Sequence, residues 1–515
     1  MLRQIKSPVA SSQSPVFKDL LLCAFSGVLL SLPFLRINLW IFAWFGFVPL
    51  FFVLQNKSKT QAFIFAYFTG LIFWLGTIYW LMHVTLIGMF LMSLYLALYF
   101  GLFGIIVSPL AVRPWPFASF YFSSIWVILE YIRSYLMTGF PWALLGYSQS
   151  TNLPVIQIAD ITGAWGVSFV VMMVNLTVYQ VTSYKLQVTS IVKKYWLPAV
   201  CLVAVLIYGY YKLFSSSLAT CPLPLTPVKI SVVQGNIPQE LKWEPAAKDY
   251  IIDKYLDIAG YAAKDNPDLI IMPEATMPAV LQQSPDVLEK IKYSVKENRT
   301  PLLFGAVTLR SGNFYNSALL ITPREGFVRQ YDKLHLVPFG EFIPLRNTFT
   351  FLETIVPIGD FSAGKDYTVF KVKGAKFSVL ICFEDMFPEI SRGFVNAGAG
   401  FLVNMTNDAW FKDTSSPFQH LQGSVFRAVE NRRFVVRAAN TGVSAFIDSS
   451  GRVYAQLSDK NAKLTFISGF QAAEVYSISN SLTAYTRFGD YFILFCVFIL
   501  FFNLAVSLRN NKRAG

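Results

Sequence analysis

Charge is scarce in this chain. Only 14% of its 515 residues are charged, against 54% hydrophobic and 16% aromatic. Soluble globular domains carry roughly 25% charged residues, so an ordinary soluble fold is excluded and the composition is that of a membrane protein. Histidine occurs three times and cysteine five times, too few and too scattered for a disulfide scaffold or a zinc site. Cys23, Cys201 and Cys496 fall in long apolar runs, where each serves as a small apolar residue. Cys221 and Cys382 fall in a more polar central segment. A disulfide between them is disfavoured, because Cys221 sits in the proline-broken "TCPLPLTP" while Cys382 follows a core-like strand.

Apolar stretches near 17–35, 38–55, 61–81, 84–112, 117–138, 160–182, 196–213 and 488–508 approach the ~20 residues that cross a bilayer as a helix. The first is followed at once by the second, with no small-residue cleavage site between them, and is expected to remain as a span. The expected organisation is a membrane domain of seven helices over 1–213, an inserted α/β domain over 214–484, and an eighth helix with a basic tail over 485–515.

The net charge of +13 does not point to nucleic acid. Residues 214–484 hold 27 Lys and Arg against 26 Asp and Glu, so almost all the excess belongs to the membrane part. There it alternates. Arg3, Lys6 and Lys18, then Lys57 and Lys59, Arg113, Lys185, Lys193 and Lys194, and finally Arg509, Lys512 and Arg513 flank the spans on one side, while 139–159 contains no Lys or Arg. The positive-inside rule puts both termini in the cytoplasm and the inserted domain outside, at the periplasmic face of a bacterial inner membrane. No basic patch is left for a nucleic-acid partner.

In the inserted segment, "VKISVVQGN", "LIIMPEA", "LLFGAV", "SALLI", "FSVLICFE", "FLVNMTND", "VVRAAN" and "SAFIDS" read as strands, separated by amphipathic or loop segments at 245–264, 285–298, 387–398 and 417–433. Sites in layered α/β folds gather at strand ends, which points to Glu274, Cys382, Asn404 and Asn407. Glu274, after five apolar residues in "LIIMPEATMP", is placed for partial desolvation and proton uptake, or is a rim residue. Lys333 lies in "YDKLHLVPFGEFIP", a loop stiffened by two prolines, and is either a held cation or a surface charge. His335, two residues on, is a candidate base, although a structural histidine is the commoner case. Cys382 precedes Glu384 and Asp385 in "ICFEDMFPE"; carboxylates dull a thiol unless a fixed cation offsets them and a base takes its proton. Glu, Lys and Cys at three strand-to-loop junctions can supply base, cation and nucleophile. Asp385 is expected to cap the helix that follows. Glu130 and Arg133, three apart inside a span, are placed either to pair with each other or to let Arg133 meet a lipid phosphate.

The motifs "MPEATMP", "YDKLHLVPFGEFIP" and "ICFEDMFPE", in that order, resemble the Glu-Lys-Cys set of the nitrilase, or carbon-nitrogen hydrolase, superfamily, whose fold is a four-layer αββα sandwich. With the surrounding spans, nearly the whole chain resembles the bacterial apolipoprotein N-acyltransferases. The matches include "QGNIPQELKW" at 234–243, "NDAWF" at 407–411, "RAVENRRFVVRAANTGVSAFID" at 427–448 and "GFPWALLGYSQS" at 139–150. Phe383 stands where that family often has tyrosine.

The resemblance implies an acyltransferase working through a thioester. Cys382 takes an acyl chain from a phospholipid and passes it to the α-amino group of a diacylglyceryl-modified cysteine on an apolipoprotein, the last step of lipoprotein maturation. Glu274 is the implied base and Lys333 the oxyanion partner, with Glu341 and Glu384 supporting them or serving as structural ion pairs. Thioester to amide is downhill, so no cofactor is called for. Trp243, Trp410, Phe339, Phe342 and Phe411, in loops near the triad, are expected to form a lipid-facing entrance, with Phe383, Asn407 and Arg133 as further substrate contacts. The competing readings are a membrane-tethered nitrilase-type amidase, which leaves eight spans unexplained, and a transporter, which predicts broken polar helices in repeats that are not seen.

Overall fold

The structure is a computed structural model that describes residues 15–108, 117–183, 188–215, 226–242, 244–343, 361–478 and 481–514. The N-terminal part is built from helices α1 (Pro15–Ser31), α2 (Val48–Leu54), α3 (Lys59–Thr77), α4 (Leu86–Val107), α5 (Ala118–Tyr135), α6 (Leu153–Ile156), α7 (Ala159–Thr162), α8 (Ala164–Ser183) and α9 (Val188–Ser215). Among the described residues, five helices are long and apolar enough to cross a membrane: Val16–Phe34, Lys59–Thr77, Leu86–Val107, Ala164–Ser183 and Trp196–Ser215.

Eight continuous spans were expected, and the differences have local causes. The run 38–55 divides into a 3-10 turn, Trp40–Trp44, and α2, because Pro49 lies in the first turn of α2, where its missing N–H costs nothing and a helix starts afresh. The run 117–138 is helical only over Ala118–Tyr135, where Glu130, Arg133 and four serines dilute its apolar character, and it breaks into a separate 3-10 turn at Leu136–Thr138. The run 160–182 divides at Gly163, whose φ of +66° ends α7 before α8 begins.

The inserted segment forms two sheets. In the first, strands β1 (Thr226–Gln234), β2 (Leu269–Ile271), β4 (Leu302–Arg310), β5 (Asn313–Thr322), β6 (Gly326–Asp332) and β13 (Gly469–Ser477) run in the order β13-β1-β2-β4-β5-β6, and β3 (Met277–Val280) pairs with β4. In the second, β7 (Phe370–Val372), β8 (Ala375–Ile381), β9 (Phe401–Thr406), β10 (Phe434–Ala439), β11 (Ala445–Ile447) and β12 (Val453–Gln456) run β12-β11-β10-β9-β8-β7. The centres β1-β2-β4 and β8-β9-β10 are parallel. All eight strands read from the sequence are present. The edge strands β6 and β12, with mostly exposed or half-exposed side chains, carry no apolar run and were not legible.

Helices α10 (Lys248–Ala263) and α11 (Pro285–Asn298) bury Ile252, Tyr255 and Ile291 against Val233, Ile270 and Phe304 on the outer face of the first sheet. Alternate residues of the same strands, such as Ile230, Val232 and Ile271, belong to the core that contains Val379, Ile381 and Val403 of the second sheet. Helices α12 (Pro388–Asn396) and α13 (Ser416–Asn431) cover the second sheet's other face. The result is the four-layer αββα sandwich expected.

Helix α13 has almost no exposed residue, because its far side meets the helical domain. Gln419 joins the two parts. Its Oε1 accepts the indole N–H groups of Trp142 (2.6 Å) and Trp80 (3.0 Å), and its Nε2 donates to the carbonyls of Phe34 (2.7 Å) and Thr77 (2.9 Å). Helices α14 (Ala484–Phe488) and α15 (Tyr491–Ala514) complete the described chain.

Candidate active site

The carboxyl ends of three strands meet in one place. Glu274 follows β2, Lys333 follows β6, and Cys382 follows β8. Lys333 Nζ is 3.5 Å from Glu274 Oε1 and 2.9 Å from Glu341 Oε2, and only 1% of the lysine is exposed. Burial works to lower the Lys333 pKa, but Glu341 and then Glu274 outweigh it and hold the ammonium raised. Asn316 ties the carboxylates together, its Nδ2 lying 2.8 Å from both Glu274 Oε1 and Glu341 Oε1. The other Glu274 oxygen accepts the Asn407 backbone N–H at 3.0 Å.

Cys382 is a free, partly buried thiol, and its φ of +53° places a non-glycine residue in the left-handed region. Such a residue at the end of a buried strand turns the chain sharply and turns the side chain out of the sheet. Burial and then Glu274 push the thiol pKa up, against the opposing charge of Lys333. Both influences favour the protonated thiol over the thiolate.

Glu384 does not pair with lysine. Its oxygens accept backbone N–H groups from Leu334 (2.6 Å), His335 (3.1 Å) and Ile381 (2.7 Å), and the Tyr331 hydroxyl at 2.8 Å. It thereby staples the Lys333 loop to the Cys382 turn. Burial pushes its carboxyl up to about 7, against the Ile381 N–H and the Lys333 charge. Glu384→Gln turns an acceptor into a donor facing N–H groups. An orphaned buried donor costs roughly 1–3 kcal/mol, and displacement of the reacting groups by ~1 Å costs about 100-fold in rate. Thermal unfolding and turnover of this variant should both fall accordingly.

His335 takes the commoner, structural place: its ring lies against Phe387 at 3.8 Å between centroids, and burial followed by the Lys333 charge brings its pKa down to about 4. Two other expectations are corrected. Asp385 caps no helix. It is fully buried and bonds His420, Ser424 and Arg437, while Phe387 holds the N-cap position of α12 without a side-chain bond. Arg133 neither pairs with Glu130 nor reaches the surface. Its Nη1 donates to the carbonyls of Phe140 (2.6 Å) and Trp142 (2.9 Å), and Glu130 Oε1 accepts the Leu145 N–H at 2.7 Å, so both hold the 139–146 loop.

That loop reaches the site. Trp142 stacks on Phe383 at 5.8 Å and 26°, and Phe140 lies 6.5 Å from the same ring. Trp80 meets Phe411 edge-on at 4.6 Å. Phe339 and Trp410 are about half exposed, and Phe342 is partly buried, accepting the Phe339 N–H at its carbonyl. Asn407 spends its side chain on Gln239 (2.8 Å) and Asn440 (2.9 Å), so it positions Glu274 through its backbone. Trp243 and Cys221 lie outside the described residues, as do Arg3, Lys6, Arg113 and Lys185 of the basic flanks.

The sequence reading passed over Asn316, Tyr331 and Lys242. Lys242, within the "QGNIPQELKW" stretch, is 2% exposed, and its Nζ donates to the Glu274 carbonyl at 3.1 Å; among the described residues it has no carboxylate in ion-pair range. Burial brings its pKa down to about 8, against the charges of Glu274 and Cys382. Lysine next to tryptophan in a quoted motif was a usable signal. Asn316, mid-strand, carried none.

Residues 229–479 match the carbon-nitrogen hydrolase family model, and residues 26–177 match that of the apolipoprotein N-acyltransferase N-terminal domain. A carbon-nitrogen hydrolase domain carried on a bundle of apolar helices is thus the class of molecule. Two curated relatives, both named apolipoprotein N-acyltransferase, narrow it. One from Geobacter metallireducens is 35% identical over 93% of each chain, and one from Rickettsia prowazekii is 30% identical over 96% of this chain and 99% of its own. The chain belongs to the apolipoprotein N-acyltransferase family. Among solved structures, an amidase from Nesterenkonia sp. is 18% identical, covering 51% of this chain and 92% of that chain with a TM-score of 0.38.

Proposed function

We propose that this enzyme moves an acyl chain from a phospholipid, through a thioester on Cys382, to the N-terminal amine of a diacylglyceryl-cysteine on an apolipoprotein. The observation that carries this reading is the contact between Trp142 of the helical domain and Phe383, the residue after the thiol. The reacting sulfur thereby adjoins the part of the chain that meets lipid.

Glu274 takes the thiol proton as the sulfur attacks the ester carbonyl. The ammonium of Lys333 faces the charge that develops on the carbonyl oxygen. When the C–O bond breaks, Glu274 returns its proton to the departing glycerol oxygen, which leaves as a lysophospholipid. In the second half, the acceptor ammonium loses a proton to Glu274 and its nitrogen attacks the thioester. The C–S bond breaks, one proton returns to sulfur, and a second goes to solvent.

In this reading 1–213 is the membrane domain, with the segments at 38–55 and 117–138 completing seven spans, 214–484 is periplasmic, and 485–515 supplies an eighth span and a cytoplasmic tail. Aromatic residues of the loops, Phe339, Phe342, Phe383 and Trp410, guide the acyl chains.

The test is incubation of the purified protein with a phospholipid of isotopically labelled acyl chains and a synthetic diacylglyceryl-cysteinyl peptide. Labelled N-acyl peptide, detected by mass spectrometry, is the expected product. Release of free fatty acid alone, together with hydrolysis of simple amides, would replace this reading with that of a tethered amidase.

A further inference from the structure

Beneath Cys382 lies a closed ring of charge that the acyl-transfer steps do not use. His420 Nδ1 is 3.0 Å from Asp408 Oδ1, and its Nε2 is 2.8 Å from Asp385 Oδ1 and 3.2 Å from the Cys382 carbonyl oxygen. Arg437 closes the ring, with Nη1 3.1 Å from Asp385 Oδ2 and Nη2 3.1 Å from Asp408 Oδ2. None of the four side chains is more than 2% exposed. Gly442 lies over Asp408, where any Cβ would strike the carboxylate.

Both ring nitrogens of His420 face oxygens that only accept. A neutral imidazole has one N–H and one lone pair, and would aim that lone pair at a carboxylate or a carbonyl. The geometry therefore requires two N–H groups. Two cations alternate with two anions, so the ring is neutral as a whole and its burial is compensated.

The Cys382 carbonyl has two donors, His420 and Asn404 Nδ2 at 3.0 Å, and Asn404 Oδ1 is itself held by Arg437 Nη1 at 2.8 Å. Both contacts lead into the ring. A residue held at φ +53° persists only where its surroundings over-determine it. These bonds supply that constraint at the one residue whose direction decides the reaction.

We propose that His420 is a positioning residue of the acyl-transfer site, a doubly protonated imidazole that clamps the Cys382 carbonyl and so aims the thiol. The inference rests on the acyl-transfer reading for its purpose, but not for its geometry. The charged groups facing the ring are Asp385 from the Cys382 turn, Asp408 from the turn after β9, and Arg437 from β10; the helical domain presents the neutral Trp142 ring at 5.5 Å. Burial and Arg437 work to lower the His420 pKa, but Asp385 and Asp408 outweigh them and bring it up to about 9. Because the folded value is raised, the stability this group contributes is fully present below about 6.5 and is lost as pH rises through about 9.

With three histidines in the chain, ring-labelled ¹⁵N-histidine gives three resolvable sites, and His420→Gln assigns one of them. Two protonated ring nitrogens at pH 7.5, persisting past pH 8, are expected for His420 in the wild type; a neutral tautomer at pH 7.5 overturns the proposal. A second measurement follows alkylation of Cys382 by iodoacetamide and acylation by phospholipid in His420→Gln. Both should slow by at least ~10-fold with KM for phospholipid unchanged, since small misplacements of reacting groups act on the chemical step. Wild-type alkylation and acylation rates in the variant would overturn the clamp. If wild type forms no acyl-enzyme yet alkylation still slows in the variant, the clamp stands and the acyl-transfer reading falls.

Discussion

Cys382→Ser is expected to leave no acyl-enzyme at all. Wild-type protein incubated with a phospholipid of known acyl chains should gain one acyl mass on Cys382, and neutral hydroxylamine should remove it. The serine variant should show neither. A serine hydroxyl is a poorer nucleophile than a thiol, and the proposed mechanism relies on sulfur, whose pKa burial and Glu274 raise against the charge of Lys333. The side chain is nearly isosteric and its strained backbone is held through the carbonyl, so the variant should unfold at the wild-type temperature. An adduct that survives in Cys382→Ser would place the chemistry elsewhere.

The second large effect is expected for Lys333→Met. Loss of a preorganised partner for a developing oxyanion commonly costs about 100- to 1000-fold in rate, and both halves of the reaction should slow together. Removing the ammonium also leaves Glu274 and Glu341 facing each other across Asn316 without the cation between them. Breaking a buried pair from one side costs roughly 3–5 kcal/mol, so lower thermal stability should accompany the kinetic loss. The double variant Lys333→Met, Glu341→Gln separates the two effects: it should recover stability while the rate remains low. Recovery of the rate as well would mean that Lys333 serves the fold and not the chemistry.

The site was legible to unequal degrees. Glu274 and Cys382 were readable because each stands where an apolar strand gives way to a loop, whereas Lys333 was readable only from its proline-stiffened loop, since the strand before it, β6, carries no apolar run. Glu341 and Glu384 were readable as nearby carboxylates but not in what they do. Glu341 pairs with Lys333, whereas Glu384 binds three backbone N–H groups and a tyrosine. Asp385 was misread because a carboxylate before a helix is usually a cap, and its actual partners lie 35, 39 and 52 residues away. Arg133 was misread for the same reason: its carbonyl partners follow a turn that no helical spacing describes.

By itself the sequence determined that the chain has the composition of a membrane protein, that a segment of near-neutral charge with α/β patterning lies between apolar segments, and that Glu274 and Cys382 stand at the ends of apolar strands. These are properties of composition and short-range periodicity, which local physics sets. Only the tertiary structure decided that Cys382 is held by a ring of His420, Asp385, Asp408 and Arg437, that Gln419 joins the two parts, and that Trp142 rests beside the thiol's neighbour. Those facts depend on contacts between segments tens to hundreds of residues apart. Polar groups buried in an interior must find partners wherever packing brings them, and no local pattern encodes where that will be.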